Sequence, residues 1–367
     1  TNNLDRSSRA ALHHEISQYK GCLLLASHDR ELLRLMDHIV ELTPKGLDSY
    51  GGNFDFYLEQ KAIMENAEQQ QLHSTMERLQ QAKRQQQQRV EKHQKNVSKG
   101  KRVKKAMIAA KGRVDRIELN SKKGRSEKTQ RRIGLEASKK QTVLNTQLRE
   151  IKDNMIFTDE LVITMSATRV AKSKQVLQCS DVSFGYGDKV LFKEVNLTLQ
   201  GPERVAIIGD NGTGKTTLFK LVTQQLTPDT GDIQVGVERI HYCDQHAQSL
   251  QHELTVLDNF MLHNPDITEA QAYSILAQFL FRKQMLFTPI SALSGGEKIR
   301  AQLACVLMSP KAPQLLLLDE PTNHIDLASL AVIESALRSY QGALLVISHD
   351  HSFLENIAIE RDYQLNS

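Results

Sequence analysis

The sequence predicts an α/β fold on a mostly parallel sheet, interrupted by a long antiparallel pair of helices. Three observations carry this. First, the apolar run Val205-Ala206-Ile207-Ile208 leads through Gly209-Asp210-Asn211-Gly212-Thr213-Gly214-Lys215-Thr216 into Leu218-Phe219-Lys220-Leu221-Val222. That order reads as strand, glycine-rich loop and helix. Second, Leu315–Leu318 and Ala343–Ile347 are unbroken apolar runs. Such runs suit strands buried on both faces of a parallel sheet. Third, the stretch from about Phe54 to Asn154 is rich in Gln, Lys, Arg and Glu and has no Pro. It predicts helix without a core of its own.

The chain has 367 residues, enough for about two or three domains. Its 40% hydrophobic content supports a core. No apolar run reaches about 18 residues, so no segment is expected to span a membrane. Cys22, Cys179, Cys243 and Cys305 lack metal-site spacing and read as reduced, cytosolic thiols. Net charge is only +4, but residues 59–153 hold 25 Lys and Arg against 11 Asp and Glu. That segment is therefore +14 and the remainder −10. A basic insert between acidic bodies suggests a nucleic-acid partner reached by one segment.

In chain order, Thr1-Asn2-Asn3-Leu4-Asp5 matches Thr322-Asn323-His324-Ile325-Asp326, 321 residues downstream. Tyr19 meets Tyr340, Gly21 meets Gly342, and Ser27-His28-Asp29 meets Ser348-His349-Asp350 at the same offset. This is an internal repeat. Residues 1–53 are expected to be the C-terminal remnant of a first module, so the chain reads as a piece of a longer, two-module protein. Within the remnant, Arg6 to Tyr19 predicts a helix with Leu12 and Ile16 inward. Cys22–Ala26 predicts a buried strand, residues 29–36 a short helix, and residues 38–42 and 46–50 a strand pair.

Residues 54–156 predict a hairpin linker. Leu72, Met76, Leu79, Lys83, Gln86, Val90, His93 and Val97 follow a 4-3 spacing, and Ala137, Gln141, Leu144, Leu148, Ile151 and Met155 repeat it. Two helices of about 40 residues would each project about 60 Å. Lys99 to Arg132 holds 14 Lys and Arg against three acids, which concentrates charge at the tip. The bland alternative is a solvated spacer. Reach and tip-focused charge favour RNA contact. No aromatic lies between Tyr57 and Phe157, so the tip is expected to grip phosphate and helix shape.

Residues 157–367 predict the second module. Val176 to Phe184 reads as a strand, and Tyr186 after it can stack on a purine or be an edge aromatic. The glycine loop turns backbone N–H groups toward a phosphate chain. Lys215 is placed to reach β- and γ-phosphates and Thr216 to ligate Mg²⁺. Gly231 to Val237 predicts a β excursion. Gln245, after the strand Ile240–Cys243, can orient water or touch Mg²⁺. Residues 253–290 predict a helical insertion. Leu293-Ser294-Gly295-Gly296-Glu297 opens a helix through Met308, a second anion-binding helix start. Asp319 ends a buried strand and can hold Mg²⁺, while Glu320 can polarise water. A helix near 327–340 and the strand 343–347 then deliver His349 to a strand end.

Together these residues resemble the ABC ATPase family. Gly209–Thr216 resembles its Walker A loop, Leu293–Glu297 its signature, Leu315–Glu320 its Walker B, and His349 its switch histidine. The resemblance covers residues 176–367 and, truncated, the first 50. The duplicated module, the charged helical hairpin and Asp319-Glu320-Pro321-Thr322-Asn323-His324 resemble the ABC-F subfamily. It implies a P-loop ABC ATPase cassette with a helical subdomain. ATP would sit on Gly209, Asn211, Gly212, Gly214, Lys215, Thr216 and Thr217, with Tyr186 on adenine. Thr216, Gln245 and Asp319 would hold Mg²⁺, and Glu320, Gln245 and His349 would act in hydrolysis. Ser294, Gly295 and Gly296 would cap a second ATP on the other module, with the two modules pairing within one chain. The implied partner is the ribosome, its rRNA and tRNA reached by the linker. The implied role is a cytoplasmic translation factor or a factor conferring antibiotic resistance. Of the first module's site only Asp5 and His28 are present, so this chain is expected to be a weak ATPase. The alternatives are a DNA-associated duplicated ATPase in repair or recombination, and a transporter's energy subunit, which leaves the basic hairpin without a role.

Overall fold

The computed structural model describes residues 6–43, 46–111, 142–143, 146, 170–244, 247–323 and 325–365. Contacts divide the chain into two compact units, residues 1–54 with 159–367, and residues 55–158.

In the first unit, α1 (Arg6–Gln18) and α2 (Arg30–Arg34) open the chain, followed by the antiparallel hairpin of β1 (His38–Thr43) and β2 (Gly46–Gly51). Leu12 and Ile16 are half-buried, as the helical spacing predicts. Asp29 caps α2 by accepting hydrogen bonds from the amides of Glu31 and Leu32. The buried strand expected at Cys22–Ala26 does not form. The segment is irregular, with Leu23 42% and Leu24 96% exposed. A parallel strand draws its hydrogen bonds from neighbouring strands, and no described strand lies beside this one.

The cassette is built on a five-stranded parallel sheet. Its order is β10 (Arg361–Gln364), β5 (Arg204–Ile208), β9 (Ala343–Ile347), β8 (Leu315–Asp319), β7 (Ile240–Cys243). Every neighbouring pair is parallel. A three-stranded antiparallel sheet places β3 (Gln175–Tyr186) between β4 (Lys189–Gln200) and β6 (Thr230–Val235). The apolar runs of β8 and β9 alternate between two cores. Leu316, Leu318, Leu344 and Val346 join the core that includes Phe260, Phe279 and Phe281. Leu315, Leu317, Leu345 and Ile347 join Phe192, Leu197 and Phe219 on the other face. Period-two side chains of a doubly covered sheet require that arrangement.

The helical insertion comprises α5 (Val256–His263) and α6 (Glu269–Gln278), which follow α4 (Lys215–Val222). After two short 3₁₀ turns comes α7 (Gly295–Leu307), then α8 (Leu327–Ser339) and α9 (His351–Asn356).

In the second unit, α3 (Phe54–Lys111) is one helix of 58 residues, about 87 Å long. It runs past the expected end of the seam and takes Lys99 to Lys111 into the helix. Thr75 is buried and Leu72, Leu79 and Ala82 are half-buried, while Met76 and Lys83 are exposed. The covered stripe is therefore 72-75-79-82, one residue from the expected 76 and 83. Positions 75 and 76 lie about 100° apart around the axis, so a stripe through 75 and 82 turns 76 and 83 away from the covered face. The return arm expected at Ala137–Met155 lies almost wholly outside the described residues, as does the rest of the basic connection beyond Lys111.

Candidate functional site

Because the five strands are parallel, β5, β7, β8 and β9 all deliver their C-terminal ends to one edge of the sheet. The loop after β5 turns with φ of +157° at Gly209, +85° at Gly212 and +93° at Gly214. At Gly214 an added Cβ would stand 2.9 Å from the Phe192 ring. Glycine there satisfies both the left-handed backbone and the close approach of the β3–β4 hairpin. Lys215, only 8% exposed, donates from Nζ to the carbonyls of Gly209 (2.6 Å) and Asp210 (2.9 Å). Thr217 is buried beside it, and Asn211 and Thr216 are exposed.

The β8 end meets this loop. The Thr216 hydroxyl lies close enough to the Asp319 carboxylate to favour its charged form. Tyr242, from the end of β7, donates to Asp319 Oδ2 at 2.9 Å. Burial pushes the Asp319 carboxyl up, against the pull of both hydroxyls and of the Lys215 charge. Glu320 follows with φ +48°, a left-handed conformation uncommon outside glycine. Its amide donates to Ile347 O at 2.9 Å, which ties the end of β8 to β9. Burial, then the neighbouring Asp319 charge, raise the Glu320 carboxyl to about 7. His349 Nε2 lies 3.4 Å from Glu320 Oε1. A carboxyl poised near neutrality beside an imidazole can accept a proton from water.

A lysine at a helix start, a hydroxyl and a buried carboxylate fit a nucleotide phosphate chain and a hard, oxygen-preferring cation such as Mg²⁺. The open space beyond Gly212, where an added Cβ meets nothing within 4 Å, agrees with a loop that faces a ligand.

Two expected features stand apart from this cluster. Tyr186 is 52% exposed at the end of β3, its ring edge-on to Phe184 with centroids 5.0 Å apart. Ser294, Gly295 and Gly296 open α7. Ser294 Oγ accepts from the Glu297 amide, and Glu297 Oε2 accepts from the Ser294 amide at 2.8 Å, a reciprocal cap. Gln245 lies outside the described residues, as does Asp5. The sequence pattern does not single out Tyr242. Its only signal is a position two residues before Asp244, near a strand end. Nor does it single out Arg9, whose Nη1 donates to the His349 carbonyl at 2.7 Å. Arg9, His28 and Asp29 of the N-terminal copy line one cleft with Glu320, Asn323 and His349.

Residues 192–323 match the family model described as ABC transporter. Among curated relatives, the ATP-binding protein Uup-like of Haemophilus influenzae is 33% identical over 95% of this chain and 68% of its own length. The ribosome protection protein VmlR of Bacillus subtilis is 30% identical over 97% of this chain and 62% of its own. The ABC transporter F family member 5 of Arabidopsis thaliana is 28% identical over 97% of this chain and 46% of its own. The chain spans about half the length of several other curated relatives it matches. Among the described residues, no helix is long and apolar enough to cross a membrane.

Proposed function

Because the chain belongs to the ABC-F subfamily of ABC ATPases, we propose that it serves as an ATP-driven switch on the ribosome. The observation that supports this best is the convergence of Lys215, Thr216, Asp319, Glu320 and His349 at one sheet edge. In this reading the amides of Gly209–Thr217 and the Lys215 ammonium bind the phosphates of ATP, and Tyr186 stacks on adenine. Thr216, Asp319 and Gln245 hold Mg²⁺, which when bound offsets negative charge on the phosphates. Glu320 takes the proton of the attacking water, Gln245 orients that water, and His349 orients Glu320. Ser294, Gly295 and Gly296 cap an ATP held by the other cassette of the full-length protein, the two cassettes pairing within one chain. The chain alone holds one Walker A loop and one signature, so it should turn over slowly.

The ribosomal part rests on the kinship with a ribosome protection protein and on α3. Its last 13 residues carry Lys99, Lys101, Arg102, Lys104, Lys105 and Lys111. That density suits phosphate contact with rRNA or tRNA in the cytoplasm. The reading covers both a housekeeping translation factor and a factor protecting ribosomes from antibiotics.

The test is co-pelleting of the full-length Glu320→Gln protein with ribosomes, with and without ATP, across a salt series. ATP-dependent, salt-sensitive pelleting that is lost with residues 54–156 supports the reading. Absence of pelleting, with retained binding to plasmid DNA at matched salt, overturns it in favour of a DNA-associated ATPase.

A further inference from the structure

We propose that Arg9 is a positioning residue for the Glu320–His349 pair, through which the N-terminal copy of the repeat sets the geometry of the cassette's reaction site. The inference rests on the ATPase reading above. Arg9 lies one turn before Leu12 on the inner face of α1, so the spacing that buries Leu12 and Ile16 also aims Arg9 inward. Its side chain is 13% exposed and held on two sides. Nε pairs with Asp29 Oδ2 at 3.1 Å, and Nη1 donates to the His349 carbonyl at 2.7 Å. The imidazole of that same His349 stands 3.4 Å from Glu320. One guanidinium thus joins the N-terminal copy to the backbone that carries the switch histidine. The planar guanidinium holds the ion pair and the hydrogen bond in one rigid geometry, whereas an ammonium on a flexible stem presents a point charge with freely rotating donors.

The anchor of Arg9 is itself anchored. Asp29 caps α2 through Oδ1, and Arg30 begins α2. Arg30 forks onto Glu334 of α8, at 2.7 and 3.2 Å, and Asn356 Nδ2 reaches the same carboxylate at 3.1 Å. Movement of the N-terminal copy against the cassette would therefore pull on the His349 carbonyl. Leu330 is the repeat equivalent of Arg9 and lines the same cleft. Leucine has no donor, so the reverse contact cannot be made.

The experiment compares the full-length protein with its Arg9→Ala and Arg9→Lys variants, by steady-state ATP turnover and by amide exchange of residues 349–354. For Arg9→Ala we expect kcat about tenfold lower with KM for ATP within about twofold, part of the loss being restored by Arg9→Lys. We also expect exchange of that segment to be about tenfold faster, with β8 unchanged. A raised KM at unchanged kcat, or unchanged kcat together with unchanged exchange, overturns the proposal. If the parent hydrolyses no ATP, the ATPase reading falls and exchange alone decides: faster exchange supports the tether, and unchanged exchange removes it.

Discussion

Two segments 321 residues apart share a sequence pattern and only part of a structure. α1 and α8 begin and end at equivalent residues, Arg6 with Leu327 and Gln18 with Ser339. α2 and α9 also start at equivalents, Arg30 and His351. Between them the copies part. Ala343–Ile347 is a fully buried strand between β5 and β8, whereas Cys22–Ala26 is exposed except for a half-buried Leu25 and lies outside the sheets of the described residues. A helix closes its hydrogen bonds within its own segment, and a strand depends on segments far away in sequence. The same apolar run is therefore core in one place and surface in the other.

The sharpest way to break this comparison is to truncate equivalent leucines. Leu345→Ala, at a position with no exposure, should cost about 3 kcal/mol, while Leu24→Ala should stay within about 0.5 kcal/mol. Urea unfolding of both variants measures the contrast, and equal losses would mean that Cys22–Ala26 is packed after all.

A second test probes the parallel sheet by pH. Burial, then the nearby His263, hold the His241 imidazole down at about 4 instead of 6.5. Its folded value is depressed, so the unfolded chain binds the proton more readily. The stability that neutral His241 allows is complete above about pH 6.5. It falls as pH drops to about 4, by up to about 3 kcal/mol. Melting curves of the parent and His241→Gln between pH 7 and 4 should diverge accordingly. Parallel curves would show His241 to be solvated.

The contact between the two copies should matter somewhat less. Glu334→Ala strands the Arg30 guanidinium, which is 12% exposed, and should cost about 2 kcal/mol. Adding Arg30→Ala to that background should cost little more, a coupling that a double-mutant cycle in urea reads directly. Additive losses would mean that the copies are not joined through this pair. Smallest of all is Tyr242→Phe. Loss of one hydrogen bond to Asp319 should cost about 1 kcal/mol, visible as weaker Mg²⁺-dependent nucleotide binding in calorimetry. Unchanged binding would place Tyr242 outside the site.

The glycine loop, the two carboxylates after Leu318 and the histidine after Ile347 are legible in the amino-acid sequence. Each sits at the end of an apolar run, and a parallel sheet must bring such ends to one edge. The long helix is legible too, but not its extent, because Gly100 and the lysines after it look like a break and are carried through. Tyr242 and Arg9 are not legible. Their partners, Asp319 and the His349 carbonyl, lie 77 and 340 residues away, and the repeat places a leucine where Arg9 stands.

By itself the sequence determined what depends on near neighbours: the helices of both copies, the turn at Gly212 and Gly214, and the chemical character of each strand end. Tertiary structure alone decided what depends on distant partners: that Ala343–Ile347 becomes a strand and Cys22–Ala26 does not, and that Arg9 donates to the His349 carbonyl. The physical reason is the range of the interactions. Helical periodicity and loop stereochemistry are satisfied within a few residues, while sheet hydrogen bonds and buried ion pairs exist only once the chain has brought remote groups together.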